Sequence, residues 1–536
     1  VLGGSSFFAA GLYQFRDLEA FALGQPFLFG ISVDRFSSGQ LRLPDLYRSY
    51  RSGDFAAFVQ NDLKLTRRFS LNIGLRYEYF GVPHNRDRSQ DVNFYFGPGS
   101  TIEERLLTGV LRRTTENTGD LEGLLHRRDT LNFAPSIGIA WDPAGLGKTV
   151  IRAGYSLAYD RIYNTVRDVR TNNQQQVVCL PPRCQPRFMI PAEGMLPFLD
   201  QNLGPAPSII IDENLRTPYA QNWYAGVQHN LGNNLLLEIG HSGSVGRKLV
   251  SRDIVNRLEE ARRNPATAND TFISNAGNSN YVALETSLRR RISDGLQFQV
   301  SYTYGHAIDN QSDLLEGVRV GPDPTDVARA AFTRALDPEV DRGNANFDQR
   351  HNLIFNAIWD VPAPATRLNW MLQGWTASVI GAHRSGFPVT VVMPFQSPAT
   401  APTLRNNRLD VIGDPNSAPR PPVPGGLQWM DPGMFRVAQN RVGNLGRGAI
   451  SGPGFWNYDF ALLKNFALGE GSKRLQFRAE FYNLLNHANL SPPVSDFTRP
   501  DFGHAYYGRN HTFSRFGDLP LDTAARRIQL ALRFRF

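Results

Sequence analysis

The sequence lacks any run of about eighteen apolar residues, although hydrophobic residues make up 41% of its 536 positions. A helix needs roughly that length of apolar chain to cross a membrane, so helical membrane spans are excluded. A β-barrel span is not excluded, because the polar half of each barrel strand dilutes the hydrophobic signal. The chain also opens with VLGGSSFFAAG, which has neither an initiator Met nor the profile of a secretion signal. We therefore expect either a mature amino terminus or a fragment.

Cysteine is scarce, since Cys179 and Cys184 in the segment VVCLPPRC are the only two. An even number of cysteines in an oxidising compartment predicts a disulfide that closes a small loop. Two free thiols are the alternative.

Catalytic motifs are also missing. The ten His residues show no metal-binding spacing such as HExxH, and neither a GxSxG elbow nor a Walker loop occurs. The segment NFDQRH places Asp348 near His351, but a cap at the entry to a strand, or an interface position, explains the pair better than a catalytic dyad. We therefore predict a protein that is not an enzyme, with no cofactor and with no catalytic, cofactor-binding or metal-binding residues.

Long runs of one charge sign are absent as well. The chain has 57 basic and 49 acidic residues and a formal charge of +8, but the two signs are interspersed. No basic run carries the interleaved aromatic residues on which single-strand binders stack bases. A solvated, loop-rich surface explains the charge better, and we expect no nucleic-acid partner.

What the sequence does contain is a repeated alternation with a period of two. In the terminal segment RRIQLALRFRF, the apolar positions alternate with polar ones, which is typical of a strand between hydrocarbon and water. These apolar positions include Leu530, Leu532, Phe534 and Phe536. A strand of a soluble sandwich shows the same pattern, so this strand alone does not decide between the two folds.

The same alternation recurs in six pairs of strands. The predicted pairs are Asp54–Leu65 with Phe69–Phe80, Leu131–Asp142 with Thr149–Asp160, Tyr219–Leu231 with Leu235–Val245, Asn280–Arg291 with Gly295–His306, Gln349–Val361 with Gln373–Ser385, and Gly454–Asn465 with Lys473–Asn486. Connections within pairs have about three to eleven residues, and those between pairs about 34 to 68. Transmembrane barrels show this asymmetry because the turns at one end stay short while the loops at the other end grow.

We therefore predict an all-β chain that forms a transmembrane antiparallel β-barrel of the outer-membrane type. A weaker pair at Phe7–Phe15 and Phe27–Arg35 brings the count to about 15 strands. Residues 1–53 are expected to hold early barrel strands and a loop, and residues 54–536 the barrel with its long loops. The predicted long loops are 81–130, 161–218, 246–279, 307–348, 386–453 and 487–525. The last strand runs toward the short turns, so a barrel with an even strand count needs at least one earlier strand.

Alternation also predicts which side chains point into the lumen. The candidates are Arg76, Glu78, Arg152, Glu238, Gln297, Gln299, Arg478, Glu480, Arg533 and Arg535. Mutual salt bridges and contact with a plug inside the barrel explain these residues better than direct contact with a substrate.

Several blocks carry a family resemblance: DFAAFVQNDLKLTRRFSLNIGLRYEYFGVP, NFDQRHNLIFNAIWDVP, LQGWTASVIGAHRSGFPVTV, NLGRGAISGPGFWNYDFALLKNF, LQFRAEFYNLLNHANL and RRIQLALRFRF. From about Gly53 to Phe536, the chain resembles TonB-dependent receptors of the Oar-like type. The resemblance implies an outer-membrane barrel of about 22 strands with an amino-terminal plug. Neither a plug nor a TonB box appears in the sequence, which favours the carboxy-terminal barrel portion of a longer protein.

The function that this resemblance implies is transport of a sizeable ligand across the outer membrane, with energy from an inner-membrane TonB complex that acts through the plug. The implied partners are outer-membrane lipid, that complex, an unknown extracellular ligand, and the barrel-assembly machinery, which reads the terminal strand at Leu530, Leu532, Phe534 and Phe536. The alternatives are a plug-less surface receptor, adhesion or secretion barrel, and a soluble secreted β protein that binds carbohydrate.

Overall fold

The structure is a computed structural model of the chain. It describes residues 11–37, 39–116, 121, 123–162, 172–182, 184–188, 190–201, 203–257, 264–265, 270–312, 331–363, 369–393, 407–416, 419–468, 473–508 and 525–536. No helix among these residues has the length and hydrophobicity needed to cross a membrane.

One large antiparallel sheet dominates the fold, and thirteen of its fifteen strands follow one another along a continuous path. We call this path the wall. Its strands are β1 (Phe55–Lys64), β2 (Phe69–Tyr79), β3 (Asn132–Trp141), β4 (Thr149–Tyr159), β5 (Tyr219–Gly232), β6 (Leu235–Val255), β7 (Asp270–Ser293), β8 (Leu296–Asp309), β9 (His351–Asp360), β10 (Trp375–Arg384), β11 (Phe455–Ala467), β12 (Arg474–Tyr482) and β13 (Arg527–Arg535). Each strand pairs with its neighbours in sequence, as all six predicted hairpins require.

The alternation along each strand gives the wall two chemically different faces. In β13, Leu530 lies opposite Ala479 and Leu532 lies opposite Phe477, and directly opposed residues share a face. We call this the apolar face. The intervening residues of β13, such as Gln529 and Arg533, belong to the polar face.

Connections at one end of the wall are tight turns. Asn233 and Asn234 alone separate β5 from β6, and both have positive φ values of 49° and 60°. Asp294 and Gly295, with φ values of 52° and 73°, join β7 to β8 in the same way. Two consecutive residues with positive φ form the hairpin turn that matches the natural twist of the strands. These turns fix the register of both hairpins.

Connections at the other end are long and folded. We call them, together with the amino-terminal segment 11–51, the loop layer. Its strands are Leu12–Gln14, Leu28–Asp34, Tyr50–Arg51, His84–Asn85, Val92–Tyr95, Val110–Arg113, Gln174–Cys179, Ile209–Ile211, Gly343–Asn344, Pro388–Val389, Val392–Met393, Asn407–Arg408, Asp410–Val411, Pro422–Val423, Gly426–Gln428, Phe435–Arg436, Ile450–Ser451 and His504–Tyr506. Its short α-helices are Leu18–Ala22, Ile102–Leu107 and Ala192–Met195, and its 3-10 turns are Arg88–Gln90, Thr114–Glu116, Leu196–Phe198, Pro338–Asp341 and Pro432–Met434. Another helix, Asn369–Leu372, lies between β9 and β10.

The hydrophobic core lies in the loop layer and not in the wall. Four buried clusters occur there, one around Phe435 and Met430 and another around Phe29 and Met195. In contrast, wall side chains such as Leu530 remain exposed on the apolar face, because none of the described residues forms a second layer over it. The wall therefore depends on a surrounding apolar medium, as a transmembrane barrel does.

The amino-terminal pair differs from the prediction. Leu12–Gln14 and Leu28–Asp34 do pair, but they form a separate three-stranded sheet with Gln174–Cys179 and do not begin the wall. The physical reason is that Leu28–Asp34 is buried on both faces, with Ile31 and Ser32 both fully inaccessible, so this strand has no lipid face. The part of the predicted first strand before residue 11 lies outside the described residues.

The predicted loop 246–279 is also shorter than expected. β6 has 21 residues and β7 has 24, so this hairpin extends far beyond its neighbours into the loop layer. The extended part packs against other loops and not against lipid, so it contains many polar residues. For this reason the alternating pattern did not predict it.

Both outermost strands of the wall have one wall neighbour each among the described residues. β1 leaves the loop layer and leads to the short turn before β2. β13 likewise enters from the long connection that follows β12. These two edge strands therefore run in the same direction across the membrane.

Candidate functional site: the polar face and the loop layer

The polar face gathers the charged side chains of the wall. The pairing registers place all ten lumen candidates from the sequence on this one face. Arg76 Nε lies 2.8 Å from Glu78 Oε1, and Arg478 Nη2 lies 2.8 Å from Glu480 Oε1. Each pair joins two residues of one strand, so four of the ten candidates neutralise one another.

At the centre of the polar face lie Tyr224, Ser242 and Glu285, which are not among the ten candidates predicted from sequence. Tyr224 Oη donates a hydrogen bond of 3.1 Å to Glu238 Oε1, and Ser242 Oγ donates one of 2.6 Å to Glu285 Oε1. A signal for Tyr224 was present, because Asn222 and Gln228 share its phase of alternation.

The loop layer contains buried ion pairs that tie distant segments together, either through the pair itself or through further hydrogen bonds of its arginine. Asp253 and Arg257, with side chains 3% and 2% exposed, meet at 2.8 Å, and Arg257 also donates to the backbone oxygens of residues 332 and 333. Arg447 Nη1 lies 2.5 Å from Asp309 Oδ1, and both side chains are buried. Such pairs need their full set of hydrogen bonds to offset the loss of hydration, so the loops that they join are strongly constrained.

Asp348 and His351 have separate partners. Asp348 Oδ1 accepts a hydrogen bond of 2.7 Å from the Ala307 backbone nitrogen, at the entry to β9. The ring of His351 instead makes a hydrogen bond of 2.8 Å with Tyr302 Oη. Among the described residues, no three His, Cys, Asp or Glu side chains come together as a metal site would require.

A cavity of about 250 Å³ opens in the loop layer. Its apolar lining includes Ile210, Val255 and Leu336, while Glu103 and Arg334 contribute opposite charges. The cavity is large enough for a small side chain or a few ordered water molecules.

Burial also changes the acidity of several loop groups. Burial raises the pKa of Asp91 to about 6, although the Asn85 backbone nitrogen donates a hydrogen bond of 2.7 Å to its carboxylate. Burial raises the pKa of Asp253 too, against the opposing charge of Arg257. Burial lowers the pKa of Arg35 to about 10. These groups titrate differently from surface residues because the loop layer excludes water.

The two cysteines and the terminal strand occupy distinct places. Cys179 and Cys184 are joined by a disulfide, with their Cα atoms 5.0 Å apart, and Cys179 belongs to the buried cluster around Phe29.

Leu530 and Leu532 are 66% and 68% exposed on the apolar face. Phe534 and Phe536 continue that face at the end of the chain, with their ring centres 5.8 Å apart.

A family model of the outer membrane beta barrel domain matches residues 4–529. The chain belongs to this family. The protein is therefore an antiparallel barrel of the cell outer membrane, and the apolar face of the wall is the one suited to lipid. This confirms the fold and the location expected from the sequence, and it sets aside the soluble alternative.

Several solved structures are similar to this outer-membrane barrel at low sequence identity. The outer membrane transporter YddB from Escherichia coli is 12% identical with a TM-score of 0.41, and the match covers 94% of this chain and 53% of that one. The FrpB iron transporter from Neisseria meningitidis is 11% identical with a TM-score of 0.39, covering 90% and 45%. The ferric citrate transporter FecA is 12% identical with a TM-score of 0.39, covering 95% and 50%. The chain thus spans about half the length of these structures. No curated protein matches it.

Proposed function

We propose that this chain is the barrel portion of a TonB-dependent transporter, which moves a sizeable ligand across the outer membrane with energy from an inner-membrane TonB complex. The observation that carries the proposal is the asymmetry of the wall, with tight turns at one end and a folded, internally packed loop layer at the other. A barrel that only anchors a protein in the membrane has no need of so large an outer structure.

The number of strands in the wall indicates a lumen that is wide enough to need a plug. Unpaired backbone groups are not tolerated in hydrocarbon, so β1 and β13 each require a further partner strand. Because these two edge strands run in the same direction, antiparallel closure takes an odd number of additional strands. A barrel with more than thirteen strands encloses a lumen too wide for its own side chains to fill. Without a movable plug it would leak.

The polar face supplies the lining of that lumen. At its centre, Gly226, Gly240 and Gly305 carry no side chains of their own, and the rings of Tyr224 and Tyr281 lie over them. The ten charged and amide candidates surround this space in the proposed transporter. Four of them are paired internally, as Arg76 with Glu78 and Arg478 with Glu480, which leaves the others for contact with the plug or the ligand.

The loop layer is the proposed first contact for an external ligand. Its buried ion pairs hold the receiving surface in one arrangement before the ligand arrives, which lowers the entropy cost of binding. The proposed role is binding and passage, with no catalytic step. The terminal strand is the proposed recognition signal for the barrel-assembly machinery.

Untargeted mass spectrometry of spent medium tests this function. Cells that produce the whole protein are compared with cells that lack it, each with and without a functional TonB complex. We expect at least one compound to be depleted only when both the protein and the TonB complex are present. Depletion that persists without TonB would overturn energy coupling and favour the second candidate, a plug-less receptor or secretion barrel. That candidate also predicts a steady ionic conductance for the whole protein in planar bilayers.

A further inference from the structure

Tyr224 leans over two glycines on the polar face of the wall. An ideal Cβ atom at Gly226 would lie 2.2 Å from Tyr224 Oη, and one at Gly240 would lie 2.6 Å from Tyr224 Cε2. The ring therefore rests on the bare backbone of its own strand β5 and of the neighbouring strand β6. Tyr224 is only partly buried, so the side of the ring away from the glycines stays accessible.

Hydrogen-bonding groups flank the ring on both sides. Arg152, Gly226, Gly240 and Glu285 are successive partners across strands β4 to β7, so the guanidinium and the carboxylate border the two glycines. The Cα atoms of Arg152 and Glu285 are thus three strand spacings apart, roughly 14 Å. Glu238 lies beyond the ring and accepts the Tyr224 hydroxyl bond.

These groups keep unused capacity for a ligand. In the described part of the chain, Glu238 and Glu285 accept hydrogen bonds from Tyr224 and Ser242, and neither has a cation within ion-pair distance. Ionised carboxylates have four lone-pair sites each, so both can accept further donors. Within the same described residues, no second ring or cation stacks on Tyr224.

A second tyrosine on the polar face repeats the arrangement. An ideal Cβ atom at Gly305 would lie 3.0 Å from Tyr281 Oη and 3.1 Å from Cε2, so this ring also leans over a glycine of the adjacent strand. Ser244 of β6 connects the two sites, because it is the partner of both Asn222 and Tyr281. The two tyrosines belong to β5 and β7, two strand spacings apart and offset by two residues along the strands, so their Cα atoms are roughly 12 Å apart.

We propose that this part of the polar face is a saccharide-binding site, with the Tyr224 ring as its platform and Arg152, Glu238 and Glu285 as its polar rim. A sugar ring has one flat face of C–H groups and a rim of hydroxyls that both donate and accept hydrogen bonds. The aromatic ring of Tyr224 can pack against the C–H face of the sugar. Arg152 can donate hydrogen bonds to the sugar hydroxyls, and Glu238 and Glu285 can accept them. The Tyr281 ring then serves a second unit of an oligosaccharide. This assignment names the ligand class of the proposed transporter and rests on that function.

An organic cation is the competing ligand, because aromatic faces and carboxylates also attract ammonium groups. Arg152 favours the sugar, since a guanidinium repels a cation but donates hydrogen bonds to hydroxyls. The two carboxylates nevertheless give the rim one formal negative charge, so binding of a cation is tested directly. The binding experiment therefore includes tetramethylammonium as a probe beside a panel of labelled linear hexasaccharides of glucose, xylose, galactose, mannose and N-acetylglucosamine.

Binding is measured with the whole protein in outer-membrane vesicles. Tyr224→Ala removes the platform, whereas Gly240→Ala keeps the ring but tilts it, because the new Cβ atom would lie 2.6 Å from Cε2. We expect each variant to weaken binding of at least one hexasaccharide by about tenfold or more. Tyr224→Phe should keep most of the affinity. Gly138→Ala is the matched control, since its Cβ atom meets nothing closer than Asn72 Cβ at 3.7 Å on the same face.

Three results would overturn the saccharide site: no hexasaccharide binds, Tyr224→Ala and Gly240→Ala bind as well as the unaltered protein, or tetramethylammonium binds more tightly than every sugar. Heat-modifiable mobility in gels shows whether each variant is folded. If TonB-dependent depletion of the medium continues in Tyr224→Ala, the saccharide site is wrong and the transport function stands. If depletion is independent of TonB in the unaltered protein while the sugar still binds, the transport function is wrong and the site stands.

Discussion

Arg408 Nη1 lies 2.8 Å from Asp341 Oδ1, although the two residues are 67 positions apart in sequence and both side chains are nearly buried. Asp341 also accepts hydrogen bonds of 2.6 and 2.7 Å from the backbone nitrogen and the hydroxyl of Thr333. Through these contacts, the long connection between β10 and β11 is tied to the segment that leads into β9. One ion pair therefore joins two loops that share no wall hairpin.

Removal of this pair should loosen the loop layer without affecting the wall. Arg408→Ala leaves the Asp341 carboxylate buried without its cation, a change that typically costs about 3–5 kcal/mol. We expect faster proteolysis and faster hydrogen exchange in residues 331–341, with unchanged heat-modifiable mobility of the barrel. Arg441→Ala is the matched control, because its pair with Asp410 is exposed and should be worth under about 1 kcal/mol. Equal effects of the two substitutions would contradict the conclusion that the buried Arg408–Asp341 pair holds the loop layer together.

Acidification should stabilise the loop around Asp91. Burial raises the pKa of Asp91 to about 6, so the folded loop binds a proton more tightly than the unfolded chain does. Stability from this group therefore falls as pH rises from about 4 to 6 and stays low above that range, a difference of roughly 2–3 kcal/mol. Hydrogen exchange of residues 85–95, corrected for intrinsic rates, should show greater protection at pH 5 than at pH 7.5.

Asp91→Asn separates this effect from other groups that titrate nearby. The amide oxygen can still accept the bond from the Asn85 backbone nitrogen, but the side chain no longer ionises. We expect the variant to show similar protection at both pH values. A variant that keeps the full pH dependence would show that a group other than Asp91 is responsible.

Reduction should destabilise the amino-terminal part of the loop layer. The Cys179–Cys184 bond closes a loop with a sequence separation of 5, for which chain entropy predicts about 2 kcal/mol of stabilisation. Mass spectrometry should show no alkylation of either cysteine until a reductant is added. The double variant Cys179→Ser with Cys184→Ser should unfold this region more readily while the barrel remains folded. Alkylation of both thiols before reduction would refute the bridge.

The wall was predictable from sequence, whereas the loop layer was not. In β13, Ile528, Leu530 and Leu532 all face one way because a strand has a period of two, and this pattern is local. The loop core depends instead on contacts such as Phe29 with Met195, which are distant in sequence and show no period. The same difference applies to the strand Leu28–Asp34, because its burial on both faces depends on packing partners that are distant in sequence.

The predicted lumen-facing residues show the same limit of prediction from a local pattern. Alternation assigned Arg152 and Glu238 to one shared face, as the pairing registers do, since the face depends only on phase. It did not predict how the Tyr224 ring leans, because that geometry depends on Gly240 in the next strand and therefore on register. Register is set by the turn at Asn233 and Asn234, whose positive φ values are not part of the alternating pattern.

The end of the chain should matter for assembly of the barrel. Deletion of Phe536, which is 91% exposed on the apolar face, should lower the amount of folded barrel in the outer membrane. Quantitative gels of heat-modifiable protein measure this amount, with deletion of an equally exposed loop residue, Leu18, as the control. Unchanged abundance without Phe536 would count against an assembly signal in the terminal strand.

A pair of adjacent substitutions tests whether the two faces of the wall meet different media. Leu530→Arg places a charge on the apolar face, where the cost near the middle of the bilayer is about 2–4 kcal/mol. Gln529→Arg adds the same charge one position away on the polar face, opposite Glu480. We expect the first variant to lower the free energy of unfolding in lipid vesicles by about that amount and the second to leave it nearly unchanged. Because the two variants share length, charge and position along the strand, only the medium beside each face can separate them. Equal stabilities would mean that the face carrying Leu530 does not contact lipid.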